Sequence, residues 1–142
     1  MILGTGIDII EVDRIRRAME RHGDRFARRF LVPEELAYCQ SHRDPAPFMA
    51  ARFAAKEAIS KAFGTGIGAS LGWLDMEVRH EGSGRPYAVL SGKGADLFAA
   101  ARAAALHLSL SHTAQHATAM AILEGAGAVT PEMPITRGQR FA

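Results

Sequence analysis

The sequence predicts one α+β domain: a small antiparallel sheet packed around a long buried helix. Three observations carry that prediction. Residues 47–63 read as a helix that is apolar nearly all round, which belongs in an interior. Residues 73–79 and 86–90 alternate on either side of Glu81-Gly82-Ser83-Gly84, the mark of a hairpin. Residues 106–113 alternate cleanly, with Leu106, Leu108 and Leu110 one way and Ser109 and Ser111 the other. Strands and helices are mixed without regular βαβ alternation, so α+β is preferred over α/β. At 142 residues the chain fits a single domain, and its 48% hydrophobic and 23% charged content is ordinary for a globular protein.

The elements follow in order. Residues 2–10 form an apolar run broken by Gly4 and Gly6 and holding Asp8, read as a short strand ending in a glycine-loosened bend. From Glu11 the spacing turns helical: Val12, Ile15 and Met19 recur on one face while arginines take the others. Gly23 ends that helix, and Asp24 is placed to cap a short one running to Phe30. Pro33-Glu34-Glu35 starts the next, with proline near its first position and acids in its first turn. The long helix carries Arg52, Lys56, Glu57 and Lys61, and ionised groups are almost never buried without partners. Gly64, Gly66 and Gly68 close it. An alanine-rich helix is expected over 94–105 and a last strand over 117–123. Residues 1–124 are the expected domain, and 125–142, with two prolines and no periodicity, the expected mobile tail.

Composition narrows the function classes. Cys39 is the sole cysteine, so neither an intramolecular disulfide nor a thiolate metal cage can form. Met1-Ile2-Leu3-Gly4 has no basic region ahead of an apolar run and does not read as a signal peptide. No apolar stretch approaches the roughly 18 residues that span a bilayer. The expectation is a cytoplasmic protein that engages no membrane. The net charge of +2 hides a cluster of seven arginines between Glu11 and Phe30. Arg14, Arg21, Arg25 and Arg28 share a face if the helix bends only slightly past Gly23. Such a face is either merely solvated or made for an acidic partner. Only Phe26 and Phe30 interleave with it, too few for a nucleic-acid stacking platform, so no nucleic acid is expected.

Asp8 and Glu57 are the first candidates for chemistry, two carboxylates in apolar settings. Close carboxylates raise each other's pKa unless a cation lies between them. Magnesium suits that role, since it commonly takes one or two carboxylates with substrate phosphates and water. Lys61, one turn beyond Glu57, could reach a phosphate oxygen there. The plainer alternative is a Glu57–Lys61 helix pair with Asp8 capping a turn. His112 shares the phase of Leu108 and Leu110, so its base faces the core with its ring near the strand end, as a structural residue or a catalyst. A zinc site of His107, His112 and His116 is disfavoured because His107 faces opposite His112. Gly64-Thr65-Gly66-Ile67-Gly68 looks like a phosphate loop but follows a helix instead of opening one, so a helix cap is the default reading.

Three segments together resemble one family. They are Gly6-Ile7-Asp8-Ile9-Ile10-Glu11 leading to Arg14-Ile15, then Arg52-Phe53-Ala54-Ala55-Lys56-Glu57-Ala58-Ile59-Ser60-Lys61-Ala62-Phe63-Gly64-Thr65-Gly66, then Leu108-Ser109-Leu110-Ser111-His112-Thr113. They are similar to the holo-acyl-carrier-protein synthases, the short bacterial 4′-phosphopantetheinyl transferases, from Met1 to Glu124 in order and spacing. Gly84-Arg85-Pro86 resembles that family's Gly-Lys-Pro turn.

The resemblance implies a 4′-phosphopantetheinyl transferase-like fold and an enzyme of fatty acid biosynthesis. In it a carrier-protein serine attacks the β-phosphate of coenzyme A and adenosine 3′,5′-bisphosphate leaves. It implies Asp8 and Glu57 as magnesium ligands and Lys61 neutralising the transferring phosphate. Lys61, Gly64, Arg85, Pro86 and His112 would meet coenzyme A, with Arg85 and Pro86 at the adenine end. Arg14, Arg21, Arg25 and Arg28 would dock the acidic helix of an acyl carrier protein. Catalysis would rest on Glu57, Lys61 and His112, with Glu57 as base, directly or through a metal-bound water; Thr113, where some relatives carry an acid, removes one alternative base. The family's short members are homotrimers with sites between protomers. The rival class is a non-catalytic basic module that holds an acidic protein or RNA.

Overall fold

The structure is a computed structural model and describes residues 1–127. Its elements in chain order are β1 (Ile2–Glu11), α1 (Val12–His22), α2 (Asp24–Phe30), α3 (Pro33–Gln40) and α4 (Ala46–Phe63). A single turn of 3₁₀ helix, Trp73–Asp75, precedes β2 (Met76–His80), β3 (Pro86–Leu90), α5 (Gly92–Ala100), β4 (Ala103–His112) and β5 (His116–Gly125). The fold is α+β, as the mixed periodicities predict. One antiparallel sheet has the order β1-β5-β4, and β2 and β3 form a separate hairpin.

The helix α4 lies on one face of the larger sheet. Ala50, Ala51, Ala54, Ala55 and Ala58 are all buried, so the helix can sit close to β1 and β5. Two glycines bring the backbones closer still. A Cβ on Gly6 would stand 1.8 Å from the carbonyl oxygen of Ala58, and one on Gly4 1.9 Å from that of Ala62. These glycines do not loosen the strand: β1 runs through both and on to Glu11. Their role is close approach, a requirement that strand periodicity does not reveal.

Other boundaries shift for identifiable reasons. Asp24 is the first residue of α2, and Gly23, at φ 59, takes the cap position. The 3₁₀ turn delays β2 to Met76 because the Asp75 carboxylate accepts the Gly72 N–H at 2.8 Å and closes a tight turn. The alanine run does not stay helical to residue 105. It turns at Arg102, φ 53, and Ala103 pairs with Gly125, so sheet pairing overrides helix propensity. Since β5 reaches Gly125, the strand extends one residue into the expected tail, and from residue 128 that tail lies outside the described residues. Cys39 is fully enclosed, and burial pushes its thiol up to about 11.

Candidate active site

The register of the sheet decides which side chains face α4. Asp8 pairs with Ala119 and Leu110 pairs with the same residue from the other side, so the three form one row on the inner face. β1 is held by its ladder with β5, and Thr118 donates its hydroxyl to the Asp8 carbonyl at 2.9 Å. The Asp8 side chain therefore projects from a fixed backbone, 18% exposed.

Opposite it, α4 offers Glu57 and Lys61. The Lys61 ammonium donates to the Ile7 carbonyl at 2.9 Å and lies 3.3 Å from an Asp8 carboxylate oxygen. Glu57 holds its proton more tightly than an ordinary glutamate. Burial is the main cause and the Asp8 charge adds to it, while Lys61 and Arg14 pull the other way. The expected trio of Asp8, Glu57 and Lys61 is thus assembled in one place. Lys61 turns to Asp8 in preference to a simple helix pair with Glu57.

The donor set limits what metal could be held. Among the described residues no three His, Cys, Asp or Glu side chains converge. Two carboxylates that repel each other fit magnesium, which leaves most of its shell to phosphate and water, and do not fit an all-protein cage. Just past Lys61, Gly64 takes the left-handed conformation at φ 77 and donates to the Lys61 carbonyl. The glycine segment here caps a helix, leaving Lys61 at its last turn.

Arg14 belongs to a second feature. With Arg17, Arg21, His22, Phe26 and Arg29 it lines a hollow of about 500 Å³ along α1 and α2. Arg25 shares a neighbouring hollow with His22, Phe26 and Arg29. Arg28 does not join them, because the turn at Gly23 rotates α2 and sends Arg28 to a separate hollow with Asp24, Leu31 and Leu74. Arg17, three positions from Arg14 on α1, and Arg29, turned toward them by the bend at Gly23, also line the hollow.

His112 lies elsewhere. Its ring packs on Phe48 at 5.4 Å between centroids, near the start of α4. Phe48 and Glu57 are nine positions apart, about 13.5 Å of helix at 1.5 Å per residue. Within one chain His112 and the carboxylates do not meet. Arg85 and Pro86 sit at the hairpin end, where Pro86 pairs with His80 and the His80 ring stacks on Tyr38 at 5.4 Å. His107 contacts Glu124 at 2.7 Å, away from His112, so the histidines form no common site.

Glu35, read from the sequence only as a first-turn acid of α3, is a buried partner for the charges of α4. It accepts from the buried Lys56 at 2.6 Å, and both side chains are fully enclosed. That pairing answers for Lys56. Arg52 lies over the Tyr38 ring at 4.2 Å, with its Nε 3.8 Å from Glu35. A proline followed by two acids marks a helix start, and nothing in that pattern says that the second acid turns inward.

A family model described as the 4′-phosphopantetheinyl transferase superfamily matches residues 4–121. The chain belongs to that superfamily, among the holo-acyl-carrier-protein synthases. A holo-[acyl-carrier-protein] synthase of Koribacter versatilis is 51% identical over 124 residues, covering 87% of this chain and 99% of its own. The crystal structure of the Neisseria meningitidis synthase superposes with a TM-score of 0.82 at 33% identity, covering 87% of this chain and 99% of that one. The Bacillus anthracis synthase in complex with CoA (3′,5′-ADP) is 38% identical with a TM-score of 0.75, covering 89% and 99%. A chain of this synthase family has Asp8, Glu57 and Lys61 together and an arginine-lined hollow beside them.

Proposed function

We propose that this chain transfers the 4′-phosphopantetheine group of coenzyme A to a serine of an apo acyl carrier protein, requires magnesium, and releases adenosine 3′,5′-bisphosphate. The observation that carries the reading is the meeting of Asp8, Glu57 and Lys61 beside Arg14, which also lines the basic hollow. Phosphoryl transfer asks a protein mainly for positioning and charge neutralisation. Lys61, with a side chain 49% exposed, is free to exchange the Ile7 carbonyl for a phosphate oxygen. Glu57 accepts the serine proton as the serine oxygen bonds to the β-phosphorus and the bridging oxygen departs with the bisphosphate. Asp8 and Glu57 would hold the magnesium, which when bound supplies charge neutralisation at the phosphate oxygens.

The basic hollow is assigned to the acidic helix of the carrier protein, with Arg14, Arg21 and Arg25 as contacts and Arg17 and Arg29 added to them. Arg28 is kept as a peripheral contact. Gly64, Arg85, Pro86 and His112 are assigned to coenzyme A. The separation of His112 from Glu57 favours a homotrimer in which one protomer's His112 completes its neighbour's site. The outer sheet face supports that assembly: Ile7 and Ile9 are each 67% exposed and Met120 45%. Among the described residues no helix is long and apolar enough to cross a membrane, and we place the enzyme in the cytoplasm.

The test is the mass of an apo carrier protein after incubation with this protein, coenzyme A and magnesium. A gain of one phosphopantetheine arm is expected, and none with EDTA. Tight carrier binding with no consumption of coenzyme A under any metal would instead establish the non-catalytic module.

A further inference from the structure

Lys56 and Glu35 form a hub that neither the carboxylate site nor the basic hollow contains. All three Lys56 ammonium protons are used: on Glu35, on the Phe30 carbonyl and, at 3.1 Å, on the Trp73 carbonyl. The Glu35 carboxylate also accepts the Val32 N–H and the Val78 N–H, each at 3.0 Å. Three links thus join α4 to the last residue of α2, to α3 and to the 3₁₀ turn, and two more tie Glu35 to the start of α3 and to β2.

A buried ion pair is a poor device for stability alone, because desolvation offsets much of the attraction and apolar replacements often hold a fold equally well. What this pair supplies is direction. Its three donors and two acceptor oxygens fix each partner at one distance and angle. The next residue along α4 is Glu57. The carbonyl that Lys56 grips, Phe30, ends the helix bearing Arg25 and Arg29.

We propose that Lys56 and Glu35 are positioning residues that hold α2 in register with Glu57, and so set where the acceptor serine of the carrier protein arrives. The inference rests on the carrier-docking reading given above. Loss of Lys56 releases Phe30 and Trp73 but leaves the Glu35 link to Val78, so the hairpin assigned to coenzyme A is disturbed less than α2. Small misplacements remote from the chemistry cost roughly ten- to hundredfold in rate.

The experiment compares wild type with Lys56→Met in the full chain, which frees the Phe30 and Trp73 carbonyls while Glu35 keeps the Val32 and Val78 N–H groups and Arg52 at 3.8 Å. Read-outs are kcat, the KM for each substrate and, without metal, the Kd for apo carrier protein by fluorescence titration. The expected result is a carrier KM and Kd raised roughly tenfold or more with the coenzyme A KM changed less than about threefold. A merely structural hub would lower the folded fraction, reducing kcat per milligram with both KM values unmoved, and that pattern overturns the proposal. The double variant Lys56→Met/Glu35→Gln, which removes both charges of the pair, is the second variant, expected to move the carrier KM the same way. If neither variant folds, the hub is a folding requirement and the positioning role is overturned. Wild type that neither binds nor modifies carrier protein defeats the functional reading itself. Wild type that does both while the variant matches it defeats the positioning role alone.

Discussion

Glu57 sits where burial and a neighbouring carboxylate both oppose its charge, and only Lys61 and Arg14 relieve it. Its folded pKa is therefore above its unfolded value. The folded state binds the proton more tightly, so this residue's contribution to stability falls as pH rises from the ordinary glutamate range through the raised folded value. At neutral pH the whole cost is present. Glu57→Gln should accordingly melt at a higher temperature than wild type at pH 7 without divalent metal, with the gain shrinking as pH falls below the ordinary range. The same variant should lose about 10²–10⁴-fold in turnover if the carboxylate takes the serine proton. Melting curves across pH together with kcat check both halves. A variant that is no more stable at pH 7 than wild type would mean the carboxylate is not under electrostatic strain. Magnesium should raise the wild-type melting temperature and leave that of Glu57→Gln nearly unchanged, by mass action on the folded state.

At the scale of elements, the contact between β1 and α4 sets the site. Gly6 and Gly4 let the helix carbonyls of Ala58 and Ala62 come within reach of the strand, and Asp8 is two residues on from Gly6. Gly6→Ala must push the helix off the strand. A destabilisation of about 1–3 kcal/mol or more is expected from such overpacking. Activity should fall beyond what the lost folded fraction explains, because Asp8 and Glu57 part. Chemical denaturation and kcat measured at a temperature where the variant is fully folded check this. The elements themselves were legible because each shows its own period: α4 from its apolar circumference, the hairpin from Gly82 and Gly84, β4 from its leucines. What the sequence did not disclose are relations between elements. The inward turn of Glu35 to Lys56 spans 21 positions and leaves no periodic trace. Arg28 was misplaced because one glycine at positive φ rotates everything after it. The carboxylate pair was legible as chemistry, from two acids in apolar company, whereas the distance of His112 from it required the register of three strands.

The whole molecule presents an apolar outer sheet face, and it holds His112, assigned above to the proposed site, away from Glu57 of the same chain. Ile7 pairs with Met120 and Ile9 with Thr118 on that face. Ile9→Lys should leave the protomer folded, since the residue lies away from the core, but should break the proposed trimer. Light scattering would then show a smaller species, and the coenzyme A KM would rise as His112 leaves the neighbouring site. A wild type that is already monomeric and fully active would show that a single chain builds the complete site. The seclusion of Cys39 has a practical side for all such measurements. With its thiol pushed to about 11 and walled in by α3 and its neighbours, the protein is silent to thiol reagents at neutral pH while folded. The free thiol that ends coenzyme A would travel with the transferred arm, so a colorimetric count on the re-isolated carrier protein reports the transfer, with no background expected from native enzyme. Conversely, the appearance of one reactive thiol per chain would report unfolding, so the same reagent serves as an assay of transfer and an alarm for denaturation.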